Sequence, residues 1–191
     1  MLKLMYGGLY MKVKIGISNR HIHLSQTDAN ILFKENYQFK KRNDLSQKGE
    51  FATEDTVIIK TDNYTFDHVR VVGPIRDYTQ VEISESDAKL LGINPPVRDS
   101  GDLDNSEDVL IIGPSSSIFK KNCCIIPNRH IHCNKLDNFG YTNGDVISGS
   151  INGKIMNDIH VKEKDSYVLE LHITKDDATL YGVENGDYID I

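Results

Sequence analysis

A duplicated histidine motif contains the residues of this chain that are best suited to chemistry. Residues 17–24 read ISNRHIHL and residues 126–133 read IPNRHIHC, so the block NRHIH occurs twice without change. Side chains two positions apart on a β-strand point to the same face, so the pattern sets two imidazoles side by side and turns the isoleucine to the opposite face. Such a pair can chelate one metal ion. The histidines concerned are His21 and His23 in the first copy and His130 and His132 in the second.

A second repeated segment supplies a third metal ligand to each copy. VEISESDAKLLGI (81–93) aligns with LHITKDDATLYGV (171–183), and the alignment places Glu82 opposite His172. Three protein ligands leave one coordination position for water or substrate, as in catalytic zinc sites. A single His-X-His on a strand usually binds no metal, but its duplication together with Glu82 and His172 favours two metal sites. The sequence leaves open whether each set of ligands closes within its own copy or between copies.

A cation suited to phosphate lies shortly before Glu82. Arg76 stands in the segment GPIRDYTQVE (73–82). The planar guanidinium group can bind two phosphate oxygens at once. On the residues alone, an ordinary surface arginine in a turn is an equally good interpretation of Arg76.

The elements that must position these residues are mostly strands. Short runs rich in Val, Ile and Tyr alternate with turns such as YTNGD and VENGD. Three short helices are expected at 25–33, 84–92 and 174–182, each beginning with Ser or Thr as a helix cap. Together with the repeat, this pattern predicts a mainly β fold of two similar small closed barrels, each capped by a short helix, with the ligand bound between them.

The expected boundaries between the parts of the chain are approximate, and they allow the two barrels to interleave. Residues 1–10 are predicted to be a dispensable tail ahead of Met11. Residues 11–20 and 128–191 are expected to form one barrel, and residues 21–127 the other.

Composition limits the classes of function that the chain can serve. The formal net charge of −6 argues against a general nucleic-acid binder, which needs excess Lys and Arg to neutralise phosphates. No apolar run is long enough to span a membrane, and no secretory signal is recognisable. Three cysteines, two of them adjacent, do not form a disulfide framework. A cytoplasmic protein that binds small molecules is therefore expected.

Six segments together resemble the PduL-type phosphotransacylases, the phosphate propanoyltransferases of bacterial metabolosomes and their cytosolic relatives. The resemblance spans residues 12–183 and is carried by NRHIHLS, DLSQKGEFA, GPIRDYTQVEIS, SDAKLLGINPPVRDSGDL, NRHIH and LELHI. It implies two β-barrels with a two-zinc site at their interface. It also implies roles for individual residues: His21, His23 and Glu82 on one zinc, His130, His132 and His172 on the other, Arg76 on phosphate, and Ile17, Ser18, Asn19 and Arg70 on coenzyme A.

The implied reaction interconverts an acyl-CoA plus phosphate with an acyl phosphate plus coenzyme A, the acyl group being propanoyl or acetyl. Zinc suits this chemistry because it can bind a thiolate and polarise a carbonyl. Two alternatives stay open: a zinc-dependent thioester or ester hydrolase, and a non-catalytic module stabilised by metal. Homo-oligomer formation and enclosure in a bacterial microcompartment are also left open by the sequence.

Overall fold

The computed structural model describes residues 11–137 and 139–191. The predicted tail at residues 1–10 lies outside them. Within the described residues, the fold contains fourteen strands, three α-helices and a short 3-10 helix at Lys135–Asp137.

Six strands close into a first barrel through the pairings β2-β5-β4-β8-β9-β6 and back to β2. Two short strands flank this barrel, β3 (Lys41–Asp44) beside β4 and β7 (Val97–Arg98) beside β9. The strands of the first barrel are β2 (His21–His23), β4 (Phe51–Lys60), β5 (Thr65–Gly73), β6 (Gln80–Glu82), β8 (Glu107–Ile112) and β9 (Ser117–Pro127).

Six further strands close into a second barrel in the order β1-β13-β10-β12-β11-β14. Each has an equivalent in the first barrel with the same parallel or antiparallel pairing, so the predicted pair of closed barrels and their internal duplication are confirmed. The strands of the second barrel are β1 (Lys12–Ser18), β10 (His130–Cys133), β11 (Val146–Ile151), β12 (Lys154–Glu163), β13 (Glu170–Thr174) and β14 (Tyr188–Asp190).

The chain passes from one barrel to the other at each copy of the histidine motif. Strand β1 belongs to the second barrel, and β2 begins the first barrel only two residues later, after Asn19 and Arg20. In the same way, β9 closes the first barrel and β10 enters the second after Asn128 and Arg129. Both histidine pairs therefore begin at the boundary between the barrels.

The helices lie where the caps in the sequence predict them. They are α1 (Gln26–Leu32), α2 (Glu85–Leu91) and α3 (Lys175–Tyr181), with Ser25, Ser84 and Thr174 as their N-caps. The last two helices end in glycines with left-handed backbone, φ 68° at Gly92 and 65° at Gly182, which relieves the steric cost of stopping the helix there. Within the described residues, no helix is both long and apolar enough to cross a membrane.

The isoleucine inside each His-Ile-His turns into a barrel core. Ile22 and Ile131 are fully buried, each in a separate cluster of Val, Ile and Leu side chains. Each core holds its strand firmly, because the burial of one such side chain contributes about 1.5–3 kcal/mol. The flanking histidines are thereby presented on the outer faces of the barrels.

Ion pairs and hydrogen bonds join the two barrels through their helices. Asp87 at the start of α2 is fully buried and accepts hydrogen bonds from Arg20 and from Lys175 at the start of α3. The backbone N–H and the hydroxyl of Ser86 both donate to Asp176, each at 2.7 Å. The N-termini of the two equivalent helices thus meet at the interface.

Candidate active site between the two barrels

Strand register assigns a third ligand to each histidine pair. His21 lies opposite Glu82 across the antiparallel strands β2 and β6, and His130 lies opposite His172 across β10 and β13. Each set of three therefore closes within its own barrel, which the sequence left open. We call His21, His23 and Glu82 the first group, and His130, His132 and His172 the second group.

The first group has the geometry of a metal site. Its three ligand atoms lie within 4.8 Å of one another, and among the described residues no other three or more His, Cys, Asp or Glu side chains come so close together. The Nδ1 atoms of His21 and His23 contact backbone carbonyls, of Asn19 at 2.8 Å and of Val72 at 3.1 Å. These contacts orient the rings and leave the Nε2 atoms for a ligand.

The second group is a cluster of three imidazoles whose ring centroids are 4.7–5.1 Å apart. His130 Nδ1 contacts the Asn128 carbonyl at 2.8 Å, which repeats the contact of His21 in the first group. His132 Nδ1 is buried and has no hydrogen-bond partner. A buried nitrogen without a partner is costly, and a bound metal ion would relieve that cost.

Burial lowers the pKa of four of these histidines, His23, His130, His132 and His172, and so favours the neutral form that binds metal. It is the largest cause that lowers the pKa of His23, with the charges of His21 and Arg76 adding to it. Burial followed by the charge of His172 lowers the pKa of His132 to about 3. Burial also lowers the pKa of His172, against the opposing charges of Glu170 and Glu82. Because Glu82 belongs to the first group, the two groups lie close enough to interact electrostatically.

Arg76 lines the same cavity as both groups and acts electrostatically on each. Its charge lowers the pKa values of His23 in one group and His132 in the other, in both cases after larger effects. Its guanidinium contacts the hydroxyl of Ser100 at 3.1 Å and the carboxylate of Glu50 at 3.2 Å. The backbone N–H of Arg76 donates to the Leu24 carbonyl at 3.0 Å, so this arginine is held in place at both ends.

Both groups and Arg76 line one cavity of about 1200 Å³. The four predicted coenzyme A contacts line it as well: Ile17, Ser18, Asn19 and Arg70. Arg70 also donates to the Thr53 carbonyl on the neighbouring strand, which holds its side chain along the cavity wall. All of the residues singled out from the sequence are thus brought together in one place.

Comparison with known proteins decides the family. Residues 14–184 match the family model described as phosphate propanoyltransferase. The chain belongs to the phosphate propanoyltransferase family.

Curated relatives agree with this assignment along most of the chain. A protein of Thermotoga maritima named phosphate propanoyltransferase is 38% identical over 181 residues, which cover 92% of this chain and 86% of the relative. A protein of the same name from Rhodopseudomonas palustris is 37% identical, with 94% of this chain and 82% of the relative covered. A third, from Priestia megaterium, is 38% identical over 92% of this chain and 83% of the relative.

One loop of the first barrel reaches into the second barrel. No pattern in the sequence assigned this loop a role. The loop comprises residues 45–50 between β3 and β4. The Gln47 side chain, only 3% exposed, donates to the carbonyl of Val168 and accepts from its N–H, both at 3.0 Å. The Ser46 hydroxyl donates to the carboxylate of Glu170. The loop thus forms part of the cavity wall next to the second group.

Three further cavity residues were missed: Lys162, Tyr167 and Glu170. Tyr167 stacks on His132 with ring centroids 4.0 Å apart, and Lys162 forms an ion pair with Asp99 at 3.1 Å. No periodic pattern in the sequence marks Lys162 or Tyr167. Glu170, however, shares a strand face with His172, two residues later, and the same spacing argument that found the histidine pairs would have found it.

Proposed function

We propose that the chain transfers a short acyl group, propanoyl or acetyl, between coenzyme A and inorganic phosphate. The observation that carries the proposal is that Arg76 lines one cavity together with two groups of side chains suited to binding metal, and that its charge acts on a histidine of each group. Membership of the phosphate propanoyltransferase family supports the class of reaction. The substrates of this chain are accordingly small molecules.

Zinc is the metal that these donor sets suit best. Two imidazoles with a carboxylate, and three imidazoles, are each ligand sets of catalytic zinc sites. His21, His23 and Glu82 would hold one ion, and His130, His132 and His172 the other. When bound, zinc supplies a Lewis acid for the thioester carbonyl and a soft partner for the coenzyme A thiolate.

Arg76 binds and orients the phosphate in the proposed reaction. A phosphate oxygen attacks the thioester carbonyl carbon, a C–O bond forms, the C–S bond breaks, and coenzyme A leaves as its thiolate. The guanidinium holds the nucleophile close to the carbonyl, which supplies proximity as well as charge. Glu50 and Ser100 fix the guanidinium before phosphate arrives.

Ile17, Ser18, Asn19 and Arg70 are proposed to contact coenzyme A. The first three form the end of β1 and the crossing to the first barrel, and they line the cavity on the side where the histidine pair begins. Arg70 lies opposite His21 in the register of β5 and β2. A cofactor held along this edge would bring its thioester towards the first group.

Release of coenzyme A thiol from propanoyl-CoA tests the proposal. The zinc-loaded protein is mixed with propanoyl-CoA, and free thiol is followed with a colorimetric reagent while phosphate is varied. We expect thiol release to require phosphate and acyl phosphate to form in equal amount. Release at the same rate without phosphate would identify a thioester hydrolase instead, and no release at any phosphate concentration would indicate a non-catalytic module.

The location of the protein and its assembly remain predictions from the sequence. A cytoplasmic location, enclosure in a microcompartment and homo-oligomer formation are each compatible with the described residues. Light scattering of the purified protein measures its oligomeric state directly.

A further inference from the structure

Glu170 is a buried carboxylate beside the second group. It is 5% exposed and lies opposite His132 across the strands β10 and β13. Its Oε2 is 3.2 Å from Nε2 of His172, which follows it on the same strand face. The Ser46 hydroxyl of the 45–50 loop donates to the same oxygen. A buried carboxylate is costly unless it is paired or hydrogen-bonded, and here its partners are His172 and Ser46.

The equivalent position in the first barrel is occupied by Gln80. Gln80 lies opposite His23, as Glu170 lies opposite His132. Its amide donates to the carboxylate of Glu82, and its carbonyl accepts from the backbone N–H of Gly101 at 2.7 Å. Position 80 thus supports the ligand at position 82.

The two barrels therefore place their carboxylate at different positions of the equivalent strand. In the first barrel the acid is the ligand, Glu82, and its supporting neighbour is an amide. In the second barrel the ligand is His172, and the supporting neighbour is the acid, Glu170. Each barrel keeps one carboxylate next to its histidine pair.

A glycine makes room for Glu170. Gly16 on β1 pairs with His172, and a side-chain Cβ built at Gly16 would lie 3.1 Å from the carboxyl carbon of Glu170. The matching residue in the first barrel is Ile125, which pairs with Glu82. The strand next to the second group thus lacks a side chain where the first barrel has a large one.

We propose that Glu170 is a positioning residue of the second group. Its carboxylate orients the imidazole of His172 and supplies the negative charge that three neutral histidines lack, so that this group retains its metal ion. Carboxylates next to metal-ligating histidines fix the ring and strengthen the ligand, and their loss typically costs roughly ten- to a hundredfold in metal affinity. The proposal rests on the proposed function in one respect, because it requires a metal ion at the second group.

Zinc affinity of the Glu170→Gln variant tests the proposal. The substitution keeps the size of the side chain and removes its charge. Zinc is titrated into metal-free protein against a chromophoric chelator of known affinity. We expect wild type to bind two ions, and the variant to bind one of them roughly ten to a hundred times more weakly while the other is unchanged. Glu184→Gln, at an exposed position outside the cavity, is the matched control and should behave as wild type.

Gly16→Ala provides a second variant that keeps the charge. Its new methyl group should displace the Glu170 carboxylate by a few tenths of an ångström. In cobalt-substituted protein, both Glu170→Gln and Gly16→Ala should change the visible absorption of one bound Co²⁺ and leave that of the other unchanged. A structural role alone would lower stability without this selective spectral change.

The outcomes separate this proposal from the proposed function. Two zinc ions in wild type with the same two affinities in Glu170→Gln would overturn the role of Glu170 and leave the two-metal site intact. Failure of wild type to bind a second zinc would overturn the role of Glu170 together with the proposed two-zinc site, while phosphate-dependent thiol release would still decide the proposed acyl transfer. A selective loss at one site in the variant supports both.

Discussion

Gln47 of the first barrel pairs with the backbone of Val168 in the second through two hydrogen bonds of 3.0 Å. An amide side chain can satisfy one N–H and one carbonyl at once, much as a neighbouring strand would. The contact fixes the 45–50 loop against the segment that leads into β13, which carries Glu170 and His172. The geometry of the second group therefore depends on a residue of the first barrel.

Gln47→Ala should lower the free energy of unfolding by about 1–3 kcal/mol, because it leaves two backbone groups at the interface without partners. Urea denaturation measures this difference. Gln26→Ala is the matched control, since Gln26 is exposed and its amide bonds only to Asn30 one turn later. Equal stability losses in the two variants would show that the contact across the barrels contributes nothing.

Zinc content should fall by one ion per chain when a ligand of either group is removed. Glu82 and His172 each lie opposite a histidine of their own barrel, so Glu82→Ala and His172→Ala should each leave one ion bound. Elemental analysis after dialysis measures the ratio of zinc to protein. If either variant lost both ions, the two groups would not be independent sites.

Arg76→Ala should abolish most of the acyl-transfer activity, and the largest effect should be on the dependence of the rate on phosphate concentration. Loss of one charge-assisted contact to a reacting group costs on the order of a hundredfold or more in rate. Steady-state kinetics with varied phosphate and fixed propanoyl-CoA measure the effect, and zinc content should stay that of wild type. Arg42→Ala is the control, because Arg42 is exposed and outside the cavity. Wild-type phosphate kinetics in Arg76→Ala would leave Arg76 only a structural role.

The ionised carboxylate of Asp87 should make the free energy of unfolding depend on pH under acidic conditions. Burial raises the pKa of Asp87, but the hydrogen bonds and charges of Arg20 and Lys175 outweigh burial and hold the pKa below its ordinary value. The stabilisation is therefore complete above the pKa of the unfolded chain, near 4, and is lost as the pH falls through the lower folded value.

Asp87→Asn should accordingly lower the free energy of unfolding by about 2–3 kcal/mol at pH 7. The loss is small for a broken buried ion pair because the side chains of Arg20 and Lys175 are each one-third exposed. Thermal unfolding of both proteins between pH 7 and pH 3 measures the difference, which should shrink below pH 4. A difference that stays constant over this range would contradict the assigned cause.

Much of the fold could be predicted because local patterns determine it. The caps Ser84 and Thr174 and the glycines that follow α2 and α3 act within a few residues, so they mark the helices in any context. The His-Ile-His pattern fixes which side chains enter the core, because alternation on a strand is strict. The repeat then placed Glu82 and His172 in equivalent positions, and their register confirms that equivalence.

Contacts that depend on two distant segments could not be predicted in this way. Gln47 meets Val168 only because the two barrels dock with one particular geometry. His132 stacks on Tyr167 only because the segment before β13 folds back beside β10 within the second barrel. Neither pair has a periodic pattern or a partner in the repeat. Glu170 is different, since its spacing from His172 was visible in the sequence, but an acidic residue on a strand has no meaning until the neighbouring histidines are known to share its cavity.

Because the chain passes from one barrel to the other at both histidine motifs, the two halves of the chain exchange strands. Each repeat gives its first strand to the barrel that the other repeat builds, β1 to the second barrel and β9 to the first. This is the arrangement of a strand-swapped dimer whose two subunits have been joined into one chain. A cut between β8 and β9 would leave two fragments, each lacking one strand of its own barrel and holding one strand of its neighbour's. Neither fragment contains all six strands of a closed barrel, so each barrel, and with it the cavity between them, needs strands from both halves of the chain.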